Sequence, residues 1–115
     1  MTLDDKMVDP GADVYYSKEF RDVLEAHMAY LRGLTSTVSS LVDGHDADVY
    51  NGDLFGYLQY KGMAPMYHWV TMRLNNFYTP IEFGRATKSL LIPNTSEIDA
   101  LRQSFKSTGT GVIDL

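Results

Sequence analysis

The sequence predicts an α+β domain, on three observations. Residues 17–32 carry apolar side chains at helical spacing, and residues 65–74 are apolar almost all round. Two runs rich in β-branched or aliphatic residues, 34–42 (LTSTVSSLV) and 88–92 (KSLLI), read as strands. Helix-forming segments lie between these strands and on both sides of them, without the strict alternation of a parallel α/β sheet.

The chain of 115 residues fits one domain, and its 44% apolar content and 14 aromatic residues supply a small core. The first 13 residues contain four Asp and the turn pair Pro10-Gly11, and read as a flexible arm. Ser17 is the expected cap of a helix reaching about Arg32. Its buried stripe would be Phe20, Val23, Leu24, His27 and Leu31, with His27 a satisfied core histidine and Gly33 the stop. Asp43 to Asp48 (DGHDAD) suggests a calcium loop but lacks the glycine and glutamate such a loop requires, so a solvated acidic loop is expected. Residues 47–51 could form a second short extended piece.

Asp53 is placed to cap a helix near Leu54–Tyr60, with Leu54, Tyr57 and Leu58 inward and Lys61-Gly62 ending it. Pro65 suits the first turn of a helix over 65–74, where Trp69 offers the core its largest side chain. Asn75-Asn76 can end that helix in the left-handed conformation. Thr79-Pro80 opens a loop whose sharp turn Gly84 permits. Pro93 stops the second strand. Asn94, Thr95 or Ser96 caps a last helix over about 97–106, with Ile98, Leu101 and Phe105 on one face. Residues 107–115 read as a Gly/Thr-rich tail.

Charge is divided unevenly. Residues 1–53 hold 11 acids against four bases, a net of -7, and residues 54–115 carry a net of +2. An acidic chain without clustered Lys and Arg argues against nucleic acid as a partner. No apolar run approaches the ~18–20 residues of a membrane span, and the acidic start is not a signal peptide, so synthesis in the cytoplasm is expected. There is no cysteine, hence no disulfide, thiolate metal site or cysteine nucleophile. His27, His45 and His68 have no metal-pair spacing, and neither a G-x-S-x-G nor a phosphate-binding glycine loop occurs. No enzyme, cofactor, metal or small-molecule substrate is expected. Nine aromatic residues fall between Tyr50 and Phe83, more than a small core absorbs. With Met63 and Met66 nearby, some of them suit a protein interface or a sugar platform.

The segment from about Tyr50 to Pro93 resembles a LysM-like module, a strand–helix–helix–strand unit. The matching features are Gly52-Asp53-Leu54 at the first helix, Asn75 or Asn76 after the second, Thr79-Pro80 in the following loop, and the strand ending Leu90-Leu91-Ile92-Pro93. The run from Met66 to Pro80 (MYHWVTMRLNNFYTP) is similar to the pattern of LysM-like baseplate wedge proteins in contractile-tailed bacteriophages. The Tyr/Gly-rich Tyr57–Gly62 and the preceding Phe20–Leu41 region fit that family too. The acidic insert at 43–48 departs from it, and residues 35–41 and 47–51 both qualify as the first strand.

The resemblance implies a division into an arm (1–13), a helix and strand (14–46), the module (47–93) and a C-terminal helix and tail (94–115). It implies a non-catalytic part of the virion tail baseplate, which clips neighbouring wedge and hub proteins together, in several copies around a ring. Trp69, Val70 and Leu74 would be buried. Candidate partner contacts are Tyr67, Phe77, Tyr78 and Phe83, with Arg73, Arg85 and Lys88 meeting acidic patches such as the front half of an adjacent copy. The terminal arms would order on assembly. The alternative is a LysM-type module binding N-acetylglucosamine polymers, peptidoglycan or chitin, in a groove between the loops near Gly52-Asp53 and Pro80–Phe83.

Overall fold

A computed structural model describes the backbone of residues 12–114 and the side chains of residues 14–105. The expected arm, residues 1–13, lies outside this range except for the backbone of residues 12 and 13. The expected side-chain roles in the C-terminal tail also lie outside it.

The fold is α+β. Among the described residues it has six helices and one two-stranded antiparallel sheet, with short 3-10 turns at Ala12–Tyr16, Pro65–Tyr67 and Pro80–Glu82. Helix α1 (Lys18–Ala26) starts where the Ser17 hydroxyl accepts the Phe20 N–H at 3.1 Å. The single helix expected to reach Arg32 is broken at His27, and α2 (Met28–Gly33) follows. The His27 N–H is shared between the Val23 and Leu24 carbonyls, and its ring Nδ1 hydrogen-bonds the Val23 carbonyl at 2.8 Å. This tightens the turn and carries the ring out to solvent, so His27 is exposed, not the core residue expected. Met28 is buried instead.

Strand β1 is Val38–Leu41, shorter than the 34–42 expected. Thr37 belongs to the helix stop, because its hydroxyl donates to the Leu31 carbonyl at 2.6 Å. The acidic stretch is not a loop. It forms helix α3 (Gly44–Val49), because the Asp43 carboxylate accepts the His45 and Asp46 N–H groups and Asp46 adds negative charge to the first turn. Ala47 anchors it in the interior. Residues 47–51 are therefore helix and turn, and of the two candidates the first strand is Val38–Leu41. The boundary drawn at residue 47 falls inside α3.

Helix α4 (Leu54–Tyr60) begins with Asp53, whose carboxylate accepts the Gly56 N–H at 2.9 Å. Leu54, Tyr57 and Leu58 are its buried face, as expected. Lys61 ends it, and Gly62 turns the chain at φ 93°, a conformation that favours glycine. Helix α5 (His68–Leu74) follows the turn at Pro65 and ends in the left-handed Asn76, φ 65°. Strand β2 (Ser89–Ile92) pairs with β1 in the register Val38 with Ile92 through Leu41 with Ser89.

Helix α6 (Thr95–Asp114) begins where the Asn94 side chain accepts the Ser96 N–H at 2.9 Å. It continues through residues 107–114, which were expected as a tail. No proline interrupts that stretch, and each added residue supplies one more helical hydrogen bond.

Two clusters form the interior, with α5 between them. The first joins Tyr15, Phe20, Leu24, Met28, Leu31, Val70, Leu74 and Ile98. The second joins Leu54, Tyr57, Leu58, Met72, Phe83 and Leu90. Trp69 touches both clusters but is only half-buried, with Arg21 stacked on its ring at 5.0 Å. Val70 and Leu74 are buried as expected.

Candidate functional site

Most polar side chains in the 66–93 region hold the fold together. The Asn75 side chain leaves the end of α5 and meets β2 edge-on. Its Oδ1 accepts the Leu91 N–H at 2.6 Å, and its Nδ2 donates to the Leu91 carbonyl at 2.9 Å and to the Thr71 carbonyl at 2.8 Å. One amide thus satisfies three backbone groups and fixes α5 to the sheet. Arg32 reaches from α2 to the C-terminal end of α5. It donates to the Leu74 and Arg73 carbonyls, each at 3.0 Å, and to Asn76 Oδ1 at 2.7 Å. A cation at this end of a helix also opposes the helix dipole.

Tyr67 and Tyr15 both donate their hydroxyls to Asp99 Oδ1, Tyr67 at 2.8 Å. Their rings meet edge to face at 5.7 Å. Burial, then the neighbouring Asp99 carboxylate, raises both phenol pKa values above the ordinary 10.0. Tyr67 is therefore part of a clasp between the first 3-10 turn and α6, and its hydroxyl is already engaged. His68 is buried against Phe55, and its Nε2 hydrogen-bonds the Met63 carbonyl at 3.0 Å.

The structure separates the candidate contacts. Phe83 is 0% exposed and stacks on Tyr57 at 4.9 Å, so it is core and not a partner contact. The turn Pro80–Glu82 places it there. The Glu82 carboxylate accepts the Tyr78 and Thr79 N–H groups at the start of that turn and closes it. Phe77 is half-buried on the second cluster. Tyr78 and Ile81 remain outside, 77% and 76% exposed. Arg73 is held by Glu25 of α1, donates to the Phe77 carbonyl at 2.8 Å, and lies 4.7 Å over the Tyr78 ring. Arg85 pairs with Asp48 of α3 at 2.6 Å. Two of the three candidate cations thus find their acids within the same chain. Lys88 is exposed and forms no ion pair among the described residues.

The loops expected to frame a sugar groove are tied to each other. The Gly52 N–H donates to the Phe83 carbonyl at 2.7 Å, and Asn51 Oδ1 accepts the Arg85 N–H at 3.3 Å. Glycine at 84 suits this closure, not through its φ but because a Cβ there would displace the Asn51 amide oxygen that accepts the Arg85 N–H. A concavity lies elsewhere. A cleft of about 510 Å³ opens between the end of α4 and the sheet; Leu58, Met63, Leu90 and Ile92 are among its lining, with Tyr57 and Tyr67, and Ser40, Lys61 and Thr95 are polar members.

No sequence pattern marks Leu41, 85% exposed, or Ile81, Arg32 and Asp99 as functional or structural anchors. Thr79-x-x-Glu82 is a capping-box pattern that could have located the turn. Arg32 and Asp99 act across 32 or more positions of sequence, and no local signal marks them. Among the described residues, no group of three or more His, Asp or Glu side chains could hold a metal, and no helix is long and apolar enough to cross a membrane.

No protein-family model matches the chain, and no curated protein or solved structure shows a significant match to it.

Proposed function

We propose that the chain is a structural component of a contractile phage tail, a baseplate wedge or clip protein that joins neighbouring subunits in the virion. It is read as a non-catalytic part, present in several copies around a ring, with other wedge and hub proteins as partners. The observation that carries this reading is the partition of the 66–93 region and its sheet. Most of their polar side chains are engaged internally, while Leu41, Tyr78 and Ile81 face solvent. Apolar side chains exposed in this way suit adhesion better than chemistry. The pairing of the strands supports the same reading, while the order of elements departs from the expected strand–helix–helix–strand unit, because α3 adds a third helix between the strands. The strand ending in Ile92-Pro93 pairs with the strand before the helices, and the asparagine after α5 fastens them.

The sugar-binding alternative is disfavoured by the hydrogen bond between Gly52 and Phe83, which joins the two loops that would have to part around a saccharide.

Purified tail particles test the proposal. Quantitative mass spectrometry is expected to find the chain there at a multiple of six copies. A monomer absent from particles would overturn the reading.

A further inference from the structure

The two edges of the sheet are treated differently. Val42 N–H donates to the Lys88 carbonyl at 3.0 Å. In an antiparallel ladder the hydrogen-bonded pairs alternate, so Ser40 with Leu90 and Val38 with Ile92 are bonded pairs as well. Ser39, Leu41, Ser89 and Leu91 therefore turn their peptide groups away from the ladder. On β2 the outward groups of Leu91 are taken by Asn75. On β1 the outward groups of Ser39 and Leu41 have no hydrogen-bond partner among the described residues. From Leu34 to Val42 the chain has no charge and no proline, the devices that ordinarily protect an edge. The face carrying Val38 and Ser40 is continuous with the apolar cleft, because Ser40, Leu90 and Ile92 line it. Lys61, at the same cleft, forms no ion pair among the described residues.

We infer that the β1 edge is a strand-addition site for an extended segment of a partner protein. That segment has apolar side chains at alternate positions and an acidic residue beside Lys61. Its backbone pairs with Ser39 and Leu41. Alternate side chains on the Ser40 face enter the cleft against Leu58, Met63, Leu90 and Ile92, and the acid meets the Lys61 ammonium. Main-chain pairing supplies the affinity, and the cleft and lysine supply the selectivity. A second copy of this chain fits less well, since its own edge strand VSSL carries no acid for Lys61. The inference deepens the assembly reading and rests on it for the existence of a partner.

The test is selection of a random library of twelve-residue linear peptides against the folded chain. Enriched sequences are expected to show apolar residues at i and i+2 with one Asp or Glu. A synthetic peptide of the best sequence is then titrated into the wild type and into Leu41→Pro. That substitution removes an outward N–H and leaves every ladder bond in place, and it should weaken binding roughly five- to tenfold. On the wild type, hydrogen exchange should slow at the Ser39 and Leu41 amides when the peptide binds, a reading that does not depend on how the variant folds. Three results would overturn the inference: no enrichment, apolar spacing of i, i+3 and i+4, or exchange at Ser39 and Leu41 unchanged by the bound peptide. A dimer that Leu41→Pro dissolves would assign the edge to a second copy and overturn it as well. Peptide binding by a chain absent from tail particles would retire the assembly reading alone. Presence in particles without edge binding would retire this inference alone.

Discussion

The two hydrophobic clusters differ in reach. The second is assembled mainly from residues 54–90, and its central contact, Tyr57 on Phe83, closes a stretch that includes α4 and α5. The first gathers Tyr15 and Phe20 near the start and Ile98 near the end, with α5 supplying Val70 and Leu74 to its buried set and Trp69 at its margin. Its polar clasp, Tyr15 to Asp99, spans 84 positions. A resemblance drawn over about 50–93 therefore covers a core that is largely local, while the surrounding helices close a second core that no such segment contains. Helix α5 is common to both, so the clusters should unfold together.

Paired truncations test that coupling and carry the largest effects. Phe83→Ala and Phe20→Ala each remove a fully buried ring and should cost about 3–5 kcal/mol. Urea unfolding followed by tryptophan fluorescence and by circular dichroism should give one transition in each variant. A biphasic curve for Phe83→Ala, with helical signal outlasting the fluorescence change, would show that the first cluster stands alone. Trp69→Ala should cost less than either, since its ring is half-buried.

Asn75→Ala comes next. It strands the Leu91 N–H and carbonyl at a partly buried position, while the Thr71 carbonyl keeps the backbone N–H of residue 75, and an unmet buried group costs about 1–3 kcal/mol. Water can reach some of these groups, so a total of roughly 2–4 kcal/mol is expected. The shift in urea midpoint measures it. The loss should exceed that of Asn76→Ala. Equal losses would mean that the asparagine pair works mainly as a helix stop.

The local pattern made the first halves of these features legible. Asp53 before Leu54, the Lys61-Gly62 stop and the Asn75-Asn76 terminus all act within one helical turn, and each stands where spacing put it. The failures share the opposite property. His27 satisfied the apolar stripe by position, but its own ring competes for the Val23 carbonyl and breaks the helix. The Asp43 to Asp48 run reads as a solvated loop, yet the Asp43 carboxylate caps α3. Phe83 sits in a polar loop and reads as exposed, because its burial depends on Tyr57 26 positions earlier and on the bond from Gly52 to its carbonyl. The candidate surface was legible in residue type, as aromatic excess, but not in which rings the fold leaves outside.

A smaller effect belongs to the clasp of the first cluster. Both phenols have folded-state pKa values above those of the unfolded chain. Below pH 10 both states keep their phenolic protons and the contribution is fully present. Above it the unfolded state ionises first, so stability falls as pH rises toward the folded-state values. Equilibrium unfolding between pH 8 and 11 should show this decline. Asp99→Asn removes the charge that opposes ionisation and should flatten the slope, even while it weakens the clasp at neutral pH. An unchanged slope would mean that burial alone sets the two phenols apart. The second cluster has Tyr57, raised first by burial and then by Asp46 and Asp43, as an internal reference that Asp99→Asn leaves untouched.

The smallest effect is at the Arg85–Asp48 pair, and it bears on the uneven charge of the two halves. The -7 and +2 halves suggested contact between neighbouring copies. Arg85 instead finds Asp48 in its own chain, with both side chains mostly exposed. Such a pair contributes at most about 1 kcal/mol, and screening by salt reduces it further. Arg85→Glu should therefore lower stability by less than that, and Asp48→Arg in the same chain should restore it, as read by urea midpoints at low salt. Assembly gives a separate reading. If the pair acts only within the chain, the double reversal should also restore incorporation into tail particles. If Arg85 faces an acid on a neighbour, the double variant recovers its stability but not its assembly. Lys88→Glu sharpens this contrast, because Lys88 has no acid to release among the described residues and any loss it causes must be read at a partner.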